Sequence, residues 1–159
     1  AEVYRERGLE LVPLRYFTVY GPRQRPDMAM NRLFRAALPG SFRFPLRGNG
    51  NQRREFTFVE DIVDATVRAG YTLKSPSLEA FDIGGGVSAS LAEVMAIVEQ
   101  ITEASIRVDQ YPVADGDPLI TVASTEQASK LLGWKANTSL QDGLQQHYES
   151  FSELLTTTS

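Results

Sequence analysis

The segment from Leu9 to Tyr20, LELVPLRYFTVY, does most to restrict what this chain can become. It is apolar, β-branched and aromatic, so it reads as a buried strand rather than a surface loop. Gly21-Pro22 breaks it, and Pro26-Asp27 extends the loop that follows. A buried strand needs partners on both sides, and the rest of the chain offers short strands in alternation with helices. That alternation makes the class α/β, with mixed rather than purely parallel pairing.

The remaining elements are read in order. Residues 1–7 read as the tail of a helix stopped by Gly8. Met28 to Leu38 carries a helical stripe of Met30, Leu33, Phe34, Ala37 and Leu38, ended by Pro39-Gly40. Phe42 to Leu46 is a short strand placed at a sheet edge by Pro45, which has no N–H to donate. Gly48-Asn49-Gly50-Asn51 is a tight turn favouring positive φ, and Glu55 to Val59 is a short strand. Glu60 to Leu73 is a helix with Ile62, Val63, Ala65, Thr66, Val67 and Ala69 inward, and Ser75-Pro76-Ser77 is a loop. Phe81-Asp82-Ile83 is a buried strand, followed by Gly84-Gly85-Gly86 and a helix from Leu91 to Ile101, capped by Ser90 and Glu93. Ile106 to Tyr111 is a strand and Pro112 to Ile120 is irregular. Ser124 with Gln127 caps a helix to Leu132, and Ser139 with Asp142 opens a last helix to about Leu155.

Composition narrows the function classes. The chain has 159 residues, the size of one domain, and 42% are apolar, enough to build a core. It has no Cys, which excludes disulfides, thiolate nucleophiles and Cys-based zinc sites and suits a reducing, cytoplasmic compartment. It has one His, His147, which rules out a His-rich metal site and is placed on the surface or at a helix end. Trp134 is expected to pack the end of the preceding helix. No run of apolar residues is long enough for a membrane span, and the N-terminus has no apolar signal region. The net charge of -4 conceals an asymmetry: residues 1–54 hold eleven Arg and no Lys against four acids. Guanidinium forks match phosphate oxygens, so an Arg-rich front suits an anion; a solvated basic face fits the count equally well.

Three clusters carry possible chemistry. Gly84-Gly85-Gly86-Val87-Ser88-Ala89 matches G-x-G-x-x-A after a strand, with Asp109 twenty residues beyond Ala89. This is either a dinucleotide turn or simply a tight strand-to-helix turn. Arg15 to Asp27 ends a buried strand in a Gly-Pro turn with two further Arg, at the kind of strand end where α/β sheets place ligands. Arg47 to Phe56 follows a Gly-rich turn with Arg53 and Arg54, which could grip a phosphate, form a hairpin or belong to a nucleic-acid patch. Against the last, Phe42, Phe44, Phe56 and Phe58 alternate like core residues, and no nucleic-acid partner is expected.

In this order the clusters resemble the C-terminal half of the extended short-chain dehydrogenase/reductase family, among its NAD-dependent nucleotide-sugar epimerases and dehydratases. The matching stretches are LRYFTVYGPRQRPDMA (14–29), GNGNQRREFTFVEDIVDA (48–65), FDIGGGVSASLAEVMAIV (81–98), GDP (116–118) and SKLLGWKANTSLQDGL (129–144). Thr18 and the Arg-Pro-Asp-Met of 25–28 look most like the UDP-hexose and UDP-uronate 4-epimerase branch.

The resemblance implies the C-terminal part of a Rossmann-type fold, with mixed small sheets and flanking helices and without the N-terminal dinucleotide-binding half. Residues 1–159 would form one substrate-binding domain, 1–20 being the last part of the Rossmann-like core and 21–159 the nucleotide-sugar-binding region. Tyr16 would lie by the nicotinamide of NAD. Phe17 and Thr18 would approach the sugar and diphosphate, and Ala29 would lie along the nucleotide. Pro45, Leu46 and Arg47 would edge the base, Arg54 would reach the diphosphate and Asp117 would face the ribose. The glycine run would be a turn away from the dinucleotide. The family's catalytic Tyr-x-x-x-Lys pair occurs nowhere in this chain, which reads as starting just after it. The expected role is therefore binding of a UDP-sugar without catalysis and without tight NAD binding. The alternative is a stand-alone truncated domain that binds a nucleotide or completes a partner, by association with a missing half or with itself through an exposed sheet edge. Two Arg positions of the resemblance hold Ala114 and Leu119 here, for which Arg47 or Arg53 would have to compensate.

Overall fold

The computed structural model describes residues 6–8, 11–72, 80–86, 88–113, 116 and 118–157. The expected N-terminal helix tail and the Ser75–Ser77 loop fall largely or wholly outside them, although Gly8 itself has φ +79°. The segment of residues 9–20 is not one buried strand. It holds β1 (Leu14–Tyr16) and β2 (Val19–Tyr20), interrupted at Thr18, and among its described residues only Tyr20 is buried. β1 pairs in parallel with β6 (Phe81–Ile83) alone among the described residues, so its other edge and much of its surface stay open to solvent.

The stripe read at 28–38 forms α1 (Ala29–Ala37), with Met30, Leu33 and Phe34 buried almost completely. β3 (Phe44–Arg47) pairs only with β8 (Val108–Tyr111), in parallel, as the edge position given to Pro45 requires. The strand expected at 55–59 is displaced. β4 (Arg53–Glu55) and β5 (Thr57–Phe58) flank Phe56, and Val59 already opens α2 (Val59–Thr72). β5 pairs in parallel with β2, and β4 is the centre of a sheet between antiparallel β7 (Ser88–Ser90) and parallel β9 (Ile120–Thr121). The sheets are small and mixed, with helices around them, as the α/β reading requires.

On α2 the inward face is narrower than expected. Ile62, Ala65 and Ala69 are buried, whereas Val63, Thr66 and Val67 are exposed. Only the stripe at helical spacing reaches β6 and Trp134, and the other apolar residues face solvent. The helix after the glycine run does not follow it directly. β7 intervenes, and α3 (Leu91–Thr102) then begins at Ser90, whose capping box with Glu93 is complete. α4 (Glu126–Leu132) starts one residue later than expected, with Thr125 at its N-cap position making no side-chain cap hydrogen bond, and the Ser124 N–H donates to Asp82 Oδ2 at 3.3 Å. Ser139 accepts the Asp142 N–H at 3.1 Å at the start of α5 (Leu140–Thr157).

Two apolar cores result. One gathers α1, α3, α5 and β3 around Leu33, Phe34, Val94, Val98 and Leu144; the other gathers α2, β6 and α4 around Ile83, Ala65 and Trp134. Trp134 is 2% exposed and donates its indole N–H to the Asp61 carbonyl at 3.0 Å, securing the end of α4 as expected. His147 is the larger correction. It is 1% exposed, its ring meets Phe34 edge-on at 5.1 Å, and neither ring nitrogen has a hydrogen-bond partner among the described residues. Burial pushes its pKa down to about 4, because the charged form cannot be hydrated there.

Candidate functional site

A cavity of about 460 Å³ opens where α1, β3, β4 and β8 converge. Helix α1 contributes Ala29 and Arg32, three residues apart and so on one helix face. From β3 come Phe44, Pro45 and Arg47, and across the ladder Tyr111 is the register partner of Arg47. The turn before β4 supplies Gln52, and its tightness rests on positive φ at Gly48 (+64°) and Gly50 (+77°).

The charged run Arg53-Arg54-Glu55 is sorted by the two-residue period of β4. Arg53 turns to β7 and α3, where it donates to Ser88 Oγ at 3.2 Å and to Glu93 Oε2 at 2.9 Å. Glu55 is 1% exposed, and its carboxylate accepts the N–H of Gly86 and of Ala123, each at 2.8 Å. Arg54 alone lines the cavity, its Nη1 donating to the carbonyls of Arg53 at 2.9 Å and Pro118 at 2.7 Å. Thr18 lines the cavity with φ +21°, a conformation costly for a side-chain-bearing residue. Its carbonyl accepts the Thr57 N–H at 3.2 Å, and the Thr57 hydroxyl donates to the Phe17 carbonyl at 2.8 Å, which holds the chain there.

Among the described residues the lining therefore brings together three guanidinium groups, Arg32, Arg47 and Arg54, and no carboxylate. Phe44, Pro45, Phe56, Leu91 and Tyr111 give it apolar and aromatic walls. Partly enclosed cations attract an anion more strongly than solvated ones, and flat apolar walls suit a base or sugar face. Nothing in this arrangement is a proton-transfer pair. Tyr20 is buried, and its phenol is pushed well above the usual range by burial first, then by Asp61 and Asp142, so it holds its proton near neutral pH.

Thr18, Ala29, Pro45, Arg47 and Arg54 thus share one cavity. Leu46 turns instead into the core. Phe17 is half-buried outside the lining, its N–H donating to the Ile83 carbonyl at 3.0 Å. Tyr16 is 45% exposed on β1, its hydroxyl 2.9 Å from Thr66 Oγ1, and Asp117 lies outside the described residues. Sequence reasoning missed Arg32, Phe44, Gln52, Phe56, Leu91 and Tyr111 as wall residues. The spacing of Arg32 from Ala29 on a helix was the one local signal available. Tyr111 and Leu91 reach the cavity through long-range pairing that no local pattern announces.

A second cavity, about 470 Å³, lies beside Gly84–Gly86 and α4. A Cβ at Gly85 would lie 2.1 Å from the Phe56 carbonyl oxygen, and one at Gly84 would lie 2.1 Å from Glu55 Oε1. The glycines thus let the turn press against β4 and β5, and the Gly86 N–H is already given to Glu55. The run lies between two strands rather than opening a helix. It does not fit a dinucleotide pyrophosphate, which needs free N–H groups at a helix start. Among the described residues no helix is long and apolar enough to cross a membrane, and no group of His, Cys, Asp or Glu gathers as a metal site.

Comparison with known proteins points one way. Residues 1–84 match the model of the NAD dependent epimerase/dehydratase family. The chain is 38% identical over 157 residues to "Uncharacterized UDP-glucose epimerase YtcB" of Bacillus subtilis (strain 168), covering 96% of this chain and 48% of that protein. It is 32% identical over 140 residues to UDP-glucuronate 4-epimerase of Thermodesulfobacterium geofontis, covering 86% of this chain and 42% of that protein. The crystal structure of UDP-glucuronic acid 4-epimerase from Bacillus cereus, in complex with UDP-glucuronic acid and NAD, superposes with a TM-score of 0.88 at 38% identity. That match covers 96% of this chain and 49% of the crystallised one. The chain spans about half the length of the relatives it matches.

Proposed function

The chain belongs to the NAD dependent epimerase/dehydratase family, and on that premise we propose that it is a nucleotide-sugar-binding region, taking a UDP-sugar and performing no turnover by itself. Residues 1–20 would finish a Rossmann-like core, and 21–159 would hold the ligand. The observation that carries this reading is the cavity on which Arg32, Arg47 and Arg54 converge between aromatic walls. A diphosphate is the ligand that such a lining suits, and the aromatic walls suit what is attached to it.

Within that reading Arg54 takes the diphosphate, while Thr18 and Phe17 approach the sugar. Ala29 runs along the nucleotide, and Pro45 and Arg47 edge the base, with Leu46, expected beside them, packed into the core behind. Asp117 faces the ribose, and Tyr16 belongs on the side of a cofactor held by other residues. The absence of Tyr-x-x-x-Lys from the given sequence and the firmly protonated Tyr20 support the reading without turnover.

The open edge of β1 also supports a partner. Among the described residues it lacks a second neighbouring strand, and α2, which meets β1 through Thr66 and Tyr16, also exposes Val63, Val67 and Tyr71. A further chain, or a second copy, would cover this face.

Calorimetry of the purified chain with UDP tests the binding reading. Arg54→Ala is expected to weaken UDP about 10-fold to 100-fold, the size of a lost charge-assisted hydrogen bond. Equal affinity for both proteins would remove Arg54 from the site.

A further inference from the structure

We infer that Arg32 is a further binding residue of the cavity, a cation that α1 holds ready for the diphosphate while Arg54 meets it from β4. This rests on the nucleotide-sugar reading above and names a contact that reading does not contain.

A diphosphate carries at least two negative charges, so one guanidinium leaves it under-compensated in a partly enclosed site. The obvious second cation is unavailable. Arg53, next to Arg54 in sequence, is turned away and held by Ser88 and Glu93. The sequence around Pro118, whose carbonyl Arg54 meets, offers none either: residues 112–122 contain two Asp and no Lys or Arg. Arg47 lines the cavity but is exposed at its rim.

Arg32 differs from the arginines held in ion pairs. Arg15, Arg25, Arg43, Arg53 and Arg68 each pair with a carboxylate. No carboxylate among the described residues pairs with Arg32, and Asp27, which shares a small adjoining pocket with it, is engaged by Arg25 at 3.0 Å. Two aromatic rings hold it instead: its guanidinium carbon lies 5.9 Å from the Phe42 ring centre and 5.6 Å from that of Phe44. A cation over aromatic rings is attracted by their π faces and keeps its charge uncancelled, whereas a salt bridge would cancel it. Phe44 and Ala29 line the same cavity, so the half-buried Arg32 is fixed at the wall with donors to spare. A position held before the ligand arrives costs less ordering on binding.

The test compares UDP with uridine, which lacks the phosphates, on the full 159-residue chain. Affinities are measured by calorimetry, uridine by displacement of UDP where direct heats are small. Arg32→Ala is expected to weaken UDP about 10-fold to 100-fold and to change uridine by less than about twofold. Arg32→Lys, which keeps the charge and most of the stem, should recover part of the UDP affinity. Circular dichroism of both variants reports folding, and should Arg32→Ala fold poorly, the Arg32→Lys comparison carries the test. Unchanged UDP affinity in Arg32→Ala, with Arg54→Ala weakened, overturns this inference and leaves the nucleotide-sugar reading standing. Equal losses of UDP and uridine also overturn it, since Arg32 would then only pack the wall. Failure of the wild-type chain to bind UDP overturns both.

Discussion

Two cavities of nearly equal size, about 460 and 470 Å³, lie on either side of β4, and almost everything that separates them is in their linings. The first has three guanidinium groups, two of them with defined neighbours (Arg32 on Phe42 and Phe44, Arg54 on two carbonyls), and rings that shape its walls. The second has Gly84–Gly86, the exposed side chains of Lys130, Lys135 and Glu126, and the buried face of Trp134. The second also contains the sequence feature that looked most like a ligand motif. Its glycines answer to packing, because Phe56 and Glu55 occupy the space where side chains would go. Volume and glycine content do not mark a site; charge of one sign held in place by structure does.

The largest effect that could break this contrast comes from Gly85→Ala. Its Cβ would sit 2.1 Å from the Phe56 carbonyl oxygen, a backbone atom that cannot swing aside. Either β5 or the glycine turn must shift, and the expected cost is about 3 kcal/mol or more, at the upper end for overpacking. Urea denaturation measures it. If instead the variant matched wild type in stability and lost UDP binding, the glycine run would be the ligand turn and the ranking of the cavities would reverse.

Next in size is a pH effect that acts on the first cavity from behind. Its helix α1 rests on α5 through Phe34 and the buried, unpartnered His147. The folded-state pKa of His147 is lowered to about 4 from an ordinary 6.5. Its contribution is therefore fully present above 6.5 and is lost as pH falls, since the unfolded chain takes up a proton that the folded chain resists. Between pH 6.5 and 4 the loss is expected to reach about 3 kcal/mol. Urea midpoints across that range, compared with His147→Leu, isolate it. Parallel curves for the two proteins would mean that His147 is solvated after all.

How much of this could be read from sequence differs between the same two regions. The α1 stripe, the Ser90–Glu93 cap, β6, the edge position of Pro45 and the role of Trp134 were legible, because each depends on neighbours within a few residues. Thr18, Ala29, Pro45, Arg47 and Arg54 were picked out by resemblance, and they share the first cavity. What was not legible needed the third dimension. The stretch 9–20 was taken for one buried strand, because apolar content cannot report that one edge lacks a neighbour or that Thr18 breaks the extended backbone. His147 was placed at the surface, because nothing local shows α5 packing on Phe34. The roles of Arg53, Arg54 and Glu55 look alike in sequence and are separated only by which partner each meets across the sheet. In sequence Arg32 is one of eleven arginines of the front, and only Phe42 and Phe44 beside it in the fold set it apart.

The smallest expected effect is the sharpest control on the comparison. Lys130→Ala and Lys135→Ala remove the cations of the second cavity, as Arg54→Ala and Arg32→Ala do in the first. Both lysines are exposed, with flexible stems and no salt bridge among the described residues, so neither is fixed where a ligand would need it. Glu126 beside them offsets part of their field. Each substitution should change stability by no more than about 0.5 kcal/mol, as is usual for a surface site, and UDP affinity by less than about twofold, since an exposed charge across β4 from the first cavity is largely screened at ordinary salt. Calorimetry in the same buffer as the arginine variants makes the four directly comparable. A tenfold loss in either lysine variant would mean that an anion does collect beside the glycine run, and that loosely held lysines can do what the contrast reserves for fixed arginines.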